Sequence, residues 1–295
     1  MHSLEKNQKK EKNLDELLVS INNSHISSIK SVVSNILKVI NDPRSTAKDL
    51  KEIIEIDPPL TGKILKVANS AYYSPREKIS DIKSAIIWIG FDALKELALS
   101  QKVCEIFEKG ETIAGYSRTA LWKHCVCVAM LGKMIFRKEL GERGDNAYAA
   151  GLLHDIGIIA EDQFLQNDFK QILHNKTNRG GELYQIEYEI LGYDHTEIGK
   201  TIAEAWEFPQ DLVIAIGYHH NPLSALPEFK KIVSTLYIAN YLCHERGFGY
   251  CGSFLIDNNA LKECLTILGV RLYALDLIMY DLEEKLRKMI DMGLF

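Results

Sequence analysis

The sequence contains few residues that interrupt helices and no long uninterrupted apolar segment. Only 7 of its 295 residues are proline, the residue least compatible with a helix interior. It has no apolar run of about 18 residues, the shortest length that reads as a transmembrane helix. The Lys-rich segment from Met1 to Asn13 has no apolar stretch of the kind that a secretory signal needs. We therefore expect a cytoplasmic protein without a membrane span and with a flexible tail over residues 1–13.

The chain also lacks an excess of basic residues and a paired-cysteine motif. Asp and Glu number 40 against 35 Lys and Arg, which gives a formal net charge of -5. Nucleic acid binding relies on basic side chains that neutralise phosphates, so this balance argues against a nucleic acid partner. None of the 6 cysteines forms a Cys-x-x-Cys pair. This usage is typical of reduced, buried thiols in a cytoplasmic protein.

Apolar residues recur every three to four positions along nearly the whole chain, as in the stripe of Val33, Ile36, Leu37 and Ile40. This periodicity predicts an all-α fold. The length allows one large domain or two coupled lobes. A segment from Gly110 to Gly115 is the expected hinge.

Several helix starts can be predicted from local signals. Thr46 and Asp49 have the spacing of a capping box. Ser80 precedes an apolar helical pattern and is a candidate N-cap. Asp194 is predicted to cap a helix that carries His195 in its first turn.

Residues of metal-ligand type occur in a definite order in the second half of the chain. Neutral imidazole is the commonest protein ligand for transition metals, and five of these six side chains are imidazoles. The His-Asp doublet lies in an apolar run, where a charged group is rare unless it is paired. On its own, the doublet also fits a structural ion pair. The residues are His124, His154, Asp155, His195, His219 and His220.

Two features of the chain resemble the HDOD family, the HD-related output domain of bacterial signalling proteins. The first is a set of short motifs in the N-terminal third. The second is the histidine set, which has the order used by the HD phosphohydrolase superfamily. The motifs are Asp57-Pro58-Pro59-Leu60, Asn69-Ser70, Ile79-Ser80-Asp81-Ile82 and Ile89-Gly90.

The resemblance implies an all-α fold in which an N-terminal helical lobe packs on a divergent HD-type helical lobe. We place the first lobe at residues 14–112. The second is placed at residues 113–295 and includes extra C-terminal helices. The resemblance itself covers roughly residues 30–225.

The same resemblance implies a metal site. His124, His154, Asp155 and Asn240 would surround one ion. Asp155 would bridge to a second ion held by the three remaining histidines, His195, His219 and His220. An imidazole-rich set suits Fe, Zn, Ni, Co or Mn, so we expect one or two transition-metal ions.

The charge of this predicted ligand set is low for two metal ions. Asn240 stands where active HD enzymes usually have an aspartate, and Asp155 is then the only carboxylate in the set. Two divalent ions would carry four positive charges against that single negative one. We therefore expect one firmly bound ion, or two ions together with anions from solution.

Members of this family are usually interpreted as signalling or regulatory outputs. The resemblance therefore implies a module that binds a signalling partner protein or a small phosphorylated ligand. The alternative is a metal-dependent phosphohydrolase acting on a nucleotide or another phosphate ester, in which Asp155 would act with a metal-bound water. The oligomeric state stays open.

The branch of the superfamily that cleaves cyclic-di-GMP carries a lysine at the position of Ile158. It also carries a Gly-Tyr-Pro segment after the paired histidines, where this chain reads Asn221-Pro222-Leu223. We therefore do not expect that specific activity.

Overall fold

The computed structural model describes residues 2–108, 112–250 and 255–291. Within these residues the regular elements are helices, and the only β-type pairing is an isolated bridge between Ile113 and Tyr116. The prediction of an all-α fold is confirmed. The α-helices are α1 (His2–Asn22), α2 (Lys30–Asn41), α3 (Ala47–Glu55), α4 (Pro58–Ala68), α5 (Ile82–Ile89), α6 (Phe91–Val103), α7 (Arg118–Lys138), α8 (Asp145–Leu153), α9 (Ile156–Phe164), α10 (Gln166–Arg179), α11 (Leu183–Leu191), α12 (His195–Ala205), α13 (Gln210–Tyr218), α14 (Lys230–Glu245), α15 (Asn258–Leu268) and α16 (Leu272–Asp291).

Local side-chain caps explain where several helices begin. Thr46 and Asp49 form the predicted capping box at the start of α3. Asp194 caps α12 by accepting hydrogen bonds from two backbone N–H groups of its first turn. The prediction for α5 was wrong by one residue. Asp81, not Ser80, is its N-cap, because the carboxylate of Asp81 lies in reach of the third N–H of the helix.

Two hydrophobic clusters hold the helices together. The larger one runs from α1 to α13 and includes Leu37 and Leu152. The second is formed mainly by α7, α8 and α13 to α16, and includes Leu236 and Leu282. Because the larger cluster contains residues from both predicted lobes, the helices before and after residue 112 share one core.

The limits of the two lobes stay predictions. The expected hinge from Gly110 to Gly115 lies partly outside the described residues. At the N-terminus, α1 begins at His2 and so includes most of the segment for which we predicted a flexible tail. The ammonium group of Lys10 on this helix lies 2.5 Å from a carboxylate oxygen of Glu197 on α12.

Buried ion pairs add polar contacts between elements. Lys133 on α7 and Lys95 on α6 both lie near the buried carboxylate of Asp145, at 2.8 and 3.4 Å. Within the N-terminal helices, the ammonium group of Lys102 lies 2.6 Å from the carboxylate of Asp57, the N-cap of α4. The carboxylates of Asp145 and Asp57 therefore each have an opposite charge beside them, as low-dielectric surroundings require.

One described helix, α7, is long and apolar enough to pass for a membrane span by length and composition. In the structure 72% of its most apolar window is buried inside the protein. It packs against α8 and α14, as the core helix of a helical bundle does.

Candidate metal centre

The His-Asp doublet lies at the junction of two helices. His154 follows the last residue of α8, and Asp155 precedes the first residue of α9. Gly157 then allows α9 to approach α12 closely. A Cβ atom at this position would lie 2.0 Å from the backbone oxygen of His195. The close approach brings the start of α12 next to Asp155.

One group of side chains faces the Oδ2 atom of Asp155. The Nε2 atom of His154 lies 3.0 Å from this oxygen, and the Nε2 atom of His124 on α7 lies 4.0 Å from it. His124 Nε2 is also 2.9 Å from Oδ1 of Asn240 on α14. The four residues predicted to surround one ion are therefore neighbours in the structure. They are His124, His154, Asp155 and Asn240.

A second group faces the other oxygen of Asp155. The Nε2 atoms of His195 and His219 each lie 3.6 Å from Oδ1. His195 Nε2 lies 3.4 Å from His219 Nε2 and 3.2 Å from His220 Nε2. The carboxylate of Asp155 thus stands between two groups of imidazoles.

The outward-facing nitrogens of four histidines are held by hydrogen-bond acceptors. A carbonyl or carboxylate oxygen only accepts, so each of these Nδ1 atoms carries the proton when the bond forms and Nε2 keeps its lone pair. Metal-ligating histidines are oriented in this way by outer partners. The contacts join His124 to Phe248 O (3.2 Å), His154 to Gly151 O (2.8 Å), His195 to Glu187 Oε2 (2.6 Å) and His219 to Ile216 O (2.8 Å).

This donor set fits a transition-metal ion. The buried Nε2 atom of His154 has no hydrogen-bond partner, although Oδ2 of Asp155 is 3.0 Å away. A lone pair on nitrogen and a carboxylate oxygen repel each other unless a cation or a proton lies near both. Ligand atoms about 3 Å apart are also what neighbouring bonds of about 2.1 Å to one ion produce.

The surroundings keep most of these imidazoles neutral, the form that binds metals. Burial lowers the pKa of His124 to about 4. Burial also holds the pKa values of His219 and His220 well below the usual histidine value. Burial alone would raise the pKa of Asp155, but the neighbouring imidazoles of His154, His195 and His219 together outweigh it and hold this pKa well below its ordinary value.

His195 is the exception because it has a carboxylate on its outer side. Burial lowers its pKa, but the contact with Glu187 prevails and raises it to about 9. The carboxylate of Glu187 also accepts a hydrogen bond from the backbone N–H of His195, at 2.9 Å. A metal ion at this group would therefore replace a proton on His195.

The sequence analysis missed Glu187 and its neighbour Glu161. Both are fully buried. Burial, and then the charge of Glu187, raises the pKa of Glu161 well above its usual value, which favours the neutral acid. A signal was present in the sequence. Glu187 follows Leu183 and Ile186 at the spacing of one helix face.

Two cavities adjoin the imidazole groups. The smaller has a volume of about 30 Å³ and is lined by Asp155, His195, His220 and Asn240 among others. The larger has a volume of about 490 Å³, within the range of small-molecule sites. Both are lined by Glu182, Tyr184 and His220, so the two cavities are neighbours.

Two further residues of the smaller cavity were not singled out by the sequence. His244 lines it, and its ring centroid lies 4.6 Å from that of His124. Lys176 of α10 lines it as well. Neither position carries a motif, so only the packing of α10 and α14 reveals their proximity to the doublet.

The structure brings all the predicted site residues together. His124, His154 and Asp155 have candidate ligand atoms within 4.8 Å of one another, as do His195, His219 and His220. Asn240 joins the first group through His124. Which of these side chains bind a metal stays a prediction.

Comparisons with known proteins agree with this arrangement of helices. The fold is similar to that of an HDOD domain protein of unknown function from Geobacter sulfurreducens, with 26% identity, a TM-score of 0.75, and coverage of 88% of this chain and 89% of that one. It is also similar to a proposed phosphohydrolase from Shewanella amazonensis SB2B, with 24% identity, a TM-score of 0.66, and coverage of 94% and 93%. A proposed signal transduction protein from Marinobacter aquaeolei VT8 shares 22% identity with a TM-score of 0.71, over 90% of this chain and 57% of that one.

Sequence comparison gives the family directly. An uncharacterized protein of Treponema pallidum (strain Nichols) is 24% identical over 217 residues, which are 73% of this chain and 41% of that protein. The chain therefore spans less than half the length of this relative. The family model described as HDOD domain matches residues 26–222, which is most of the chain. The chain belongs to the HDOD domain family.

Proposed function

We propose that this chain is a signalling module of the HDOD type. It binds a small phosphorylated ligand or a partner protein and retains a metal centre of the HD type. The observation that carries this proposal is the arrangement around Asp155. Each of its two oxygens faces its own group of imidazole Nε2 atoms. The convergence of these buried imidazoles on one carboxylate supports a shared cation, because buried polar groups need partners.

The residues divide into two sets of ligands. His124, His154 and Asp155 would hold one ion, with Asn240 as a neutral oxygen donor. His195, His219 and His220 would hold a second ion on the other oxygen of Asp155. Helices are rigid supports, so these side chains are held in place before an ion binds.

The carboxylate of Glu187, which lies behind His195 and outside the predicted ligand set, changes the charge balance of the centre. With Asn240 neutral, Asp155 is the only carboxylate among the predicted ligands. Glu187 adds a second negative charge directly behind His195, at 2.6 Å from its Nδ1 atom. The centre is therefore less positive than its ligand set alone implies, which favours a bound ion at the His195 group.

The metal content of the protein tests the proposal. We expect one or two transition-metal ions per chain in protein purified without chelators, measured by elemental analysis. His154→Ala and Asp155→Asn should lower this content. His174→Ala is the matched control, because His174 is exposed on α10. Wild-type protein without metal, also after incubation with Mn, Fe, Zn or Ni, would contradict the proposal.

A second candidate function is a metal-dependent phosphohydrolase. The nearly complete set of histidines around Asp155 favours it. A divalent ion held here would supply Lewis acidity toward a phosphoryl oxygen and toward water. The chain itself would orient these ligands and exclude bulk water, because His124, His154 and His219 are fully buried.

Turnover separates the two candidate functions. Metal-loaded protein would be tested with nucleotides, cyclic nucleotides and generic phosphodiesters. The enzyme hypothesis requires a rate that His154→Ala and Asp155→Asn abolish and that His174→Ala leaves unchanged. If a screen with Mn, Fe, Zn and Ni gives no rate sensitive to these variants, only the binding function remains.

A further inference from the structure

A short segment that follows α14 lies against α7 beside His124. The backbone N–H of Tyr250 donates a hydrogen bond to the backbone oxygen of Ala120 at 2.8 Å. The backbone oxygen of Phe248 lies 3.2 Å from Nδ1 of His124. Ala120 and His124 are about one turn apart on α7. The 248–250 segment therefore contacts this helix at the turn that carries a predicted metal ligand.

Gly249, in the middle of this segment, allows the close approach. Its φ of 79° lies in the left-handed region that favours glycine. A Cβ atom on Gly249 would lie 2.4 Å from the backbone oxygen of Ala120 and 2.4 Å from the backbone nitrogen of His124. Both atoms belong to the backbone of α7, which cannot turn aside as a flexible side chain does. A side chain at this position would therefore displace the segment from α7.

The acceptor on the outer nitrogen of His124 differs in origin from those of His154 and His219. These two rings donate to the backbone oxygens of Gly151 and Ile216, three residues earlier in the sequence, which the preceding helix holds in place. The acceptor of His124 is a loop carbonyl 124 residues away in the sequence. The orientation of His124 thus depends on a tertiary contact, which can be removed without changing any predicted ligand.

This loop carbonyl determines which nitrogen of His124 is available to an ion. A carbonyl oxygen only accepts, so Nδ1 donates to it and Nε2 keeps the lone pair. Nε2 faces the centre, 4.0 Å from Oδ2 of Asp155 and 2.9 Å from Oδ1 of Asn240. Without the Phe248 carbonyl, the proton would be drawn to Nε2, because Asn240 offers an oxygen acceptor there. In that tautomer Nε2 has no lone pair for a metal ion.

We propose that the 248–250 segment is a positioning element of the metal centre. Its Phe248 carbonyl fixes the metal-binding tautomer of His124, and Gly249 is the residue that makes this contact possible. The inference rests on the proposed function, because it concerns the first group of predicted ligands. It adds to that function a segment that contributes no ligand itself. Tyr250 of the same segment lines the smaller cavity, so the segment also forms part of the wall beside the centre.

Zinc affinity and NMR spectroscopy of the zinc-loaded protein test this inference together. Gly249→Ala should weaken zinc binding by about 10- to 100-fold, the usual effect of removing an outer hydrogen bond from a metal-ligating histidine. In wild-type protein with isotope-labelled histidine, the Nδ1 proton of His124 should give a resolved signal, because the hydrogen bond slows its exchange with water. Gly249→Ala should abolish this signal and leave those of His154 and His219. A general loss of stability would not single out one ring.

Gly269→Ala is the matched control for backbone strain. Gly269 follows α15 with a φ of 66°, and a Cβ atom there would meet nothing within 4 Å. This substitution strains the backbone without a collision, so it should retain the zinc affinity and the Nδ1 signal of the wild type. If Gly249→Ala does not fold, the wild-type spectrum still tests the inference, which requires that His124 binds zinc through Nε2 and keeps a slowly exchanging proton on Nδ1.

The outcomes distinguish this inference from the proposed function. If Gly249→Ala binds zinc as tightly as the wild type and keeps the Nδ1 signal of His124, the role of the segment is refuted and the metal centre stands. The same holds if the wild type binds zinc but His124 shows no hydrogen-bonded Nδ1 proton. If the wild type binds no zinc, the inference is refuted. If it also binds none of Mn, Fe and Ni, the proposed function fails with it.

Discussion

At the scale of single residues, Asn240 determines how much negative charge the predicted ligand set carries. Its side-chain oxygen lies 2.9 Å from His124 Nε2, and the residue is 1% exposed. An aspartate has nearly the same shape and adds a charged oxygen ligand. Asn240 is therefore the position at which one substitution changes the charge of the centre and little else.

We expect Asn240→Asp to tighten metal binding by roughly tenfold, because a carboxylate binds a cation more strongly than an amide oxygen does. Competition with a chromophoric chelator measures the affinity. Asn221→Asp is the control, since it adds the same charge at an exposed residue of the larger cavity. Equal affinities of wild type and Asn240→Asp would place Asn240 outside the ligand set.

The sequence predicted which histidines lie together around Asp155, but not the other residues that surround them. His124, the doublet and the later histidines could be found because their order along the chain resembles a known pattern. Glu187 and Lys176 belong to no such pattern. An acid on the buried face of α11 can be identified from helical periodicity, but its contact with His195 follows only from how α11 packs against α12.

At the scale of elements, the glycine after the doublet sets the distance between α9 and α12. We expect Gly157→Ala to destabilise the protein by about 1–3 kcal/mol, the usual effect of forcing a group into a packed interior. It should also lower the metal content, because the added methyl group would displace His195. Urea unfolding and elemental analysis measure the two effects.

A glycine in an open helix position provides the control for this substitution. Gly62 lies in α4, and a Cβ atom there would meet nothing within 4 Å. Gly62→Ala should stabilise the protein by up to about 1 kcal/mol, as helix propensity predicts. If Gly157→Ala behaved in the same way, the packing of α9 on α12 would differ from that described above.

Asp57 links a helix start to an ion pair, and its effect depends on pH. Its carboxylate accepts a hydrogen bond from the backbone N–H of Leu60 at 3.0 Å and lies 2.6 Å from Lys102. Burial would raise the pKa of Asp57, but Lys102 and the cap bond prevail and lower it below the ordinary value. The stabilisation is therefore complete above the unfolded-state pKa of about 3.9. It is lost as the pH falls through the lower folded-state pKa.

We expect Asp57→Asn to reduce the free energy of unfolding by about 1–2 kcal/mol at pH 7, because asparagine keeps the cap but loses the charge. The difference from the wild type should shrink as the pH falls below 4. Asp57→Ala should cost about 1 kcal/mol more at pH 7, since it removes the cap as well. Urea titrations at several pH values measure these differences, and a difference independent of pH would contradict the assigned ion pair.

N-caps of this kind can be predicted from the sequence, because the cap residue and the backbone N–H group that it binds are only a few positions apart. The capping box of α3 and the cap of α12 are examples. The error at Ser80 shows the limit of such signals. Ser80 and Asp81 are adjacent and both residue types can cap a helix, and in the structure Asp81 accepts the cap hydrogen bond from Ser84 N–H.

At the scale of the whole molecule, the larger hydrophobic cluster joins the helices of the first predicted lobe to those of the second. Leu37 on α2 and Leu152 on α8 belong to the same cluster. The two lobes were predicted from the family resemblance. That the lobes share one hydrophobic core could not be predicted from the sequence. Local periodicity shows which face of a helix is buried and not which distant helix covers it.

We therefore expect the whole chain to unfold in one cooperative transition. Scanning calorimetry should show a single peak with equal calorimetric and van't Hoff enthalpies. An added transition-metal ion should move that peak to higher temperature, because it binds the folded state. Two separate peaks, of which only one responds to metal, would show that the lobes unfold independently.

The complete burial of His124, His154 and His219 has a consequence for how an ion bound by them would enter and leave. Such an ion would exchange only through the narrow cavity at Asp155 and His220 or after a local opening of the helices. Release to a chelator should accordingly be slow at moderate temperature and should accelerate under mildly denaturing conditions. The ion found after purification would then record the supply in the cell at the moment of folding rather than the composition of the buffer.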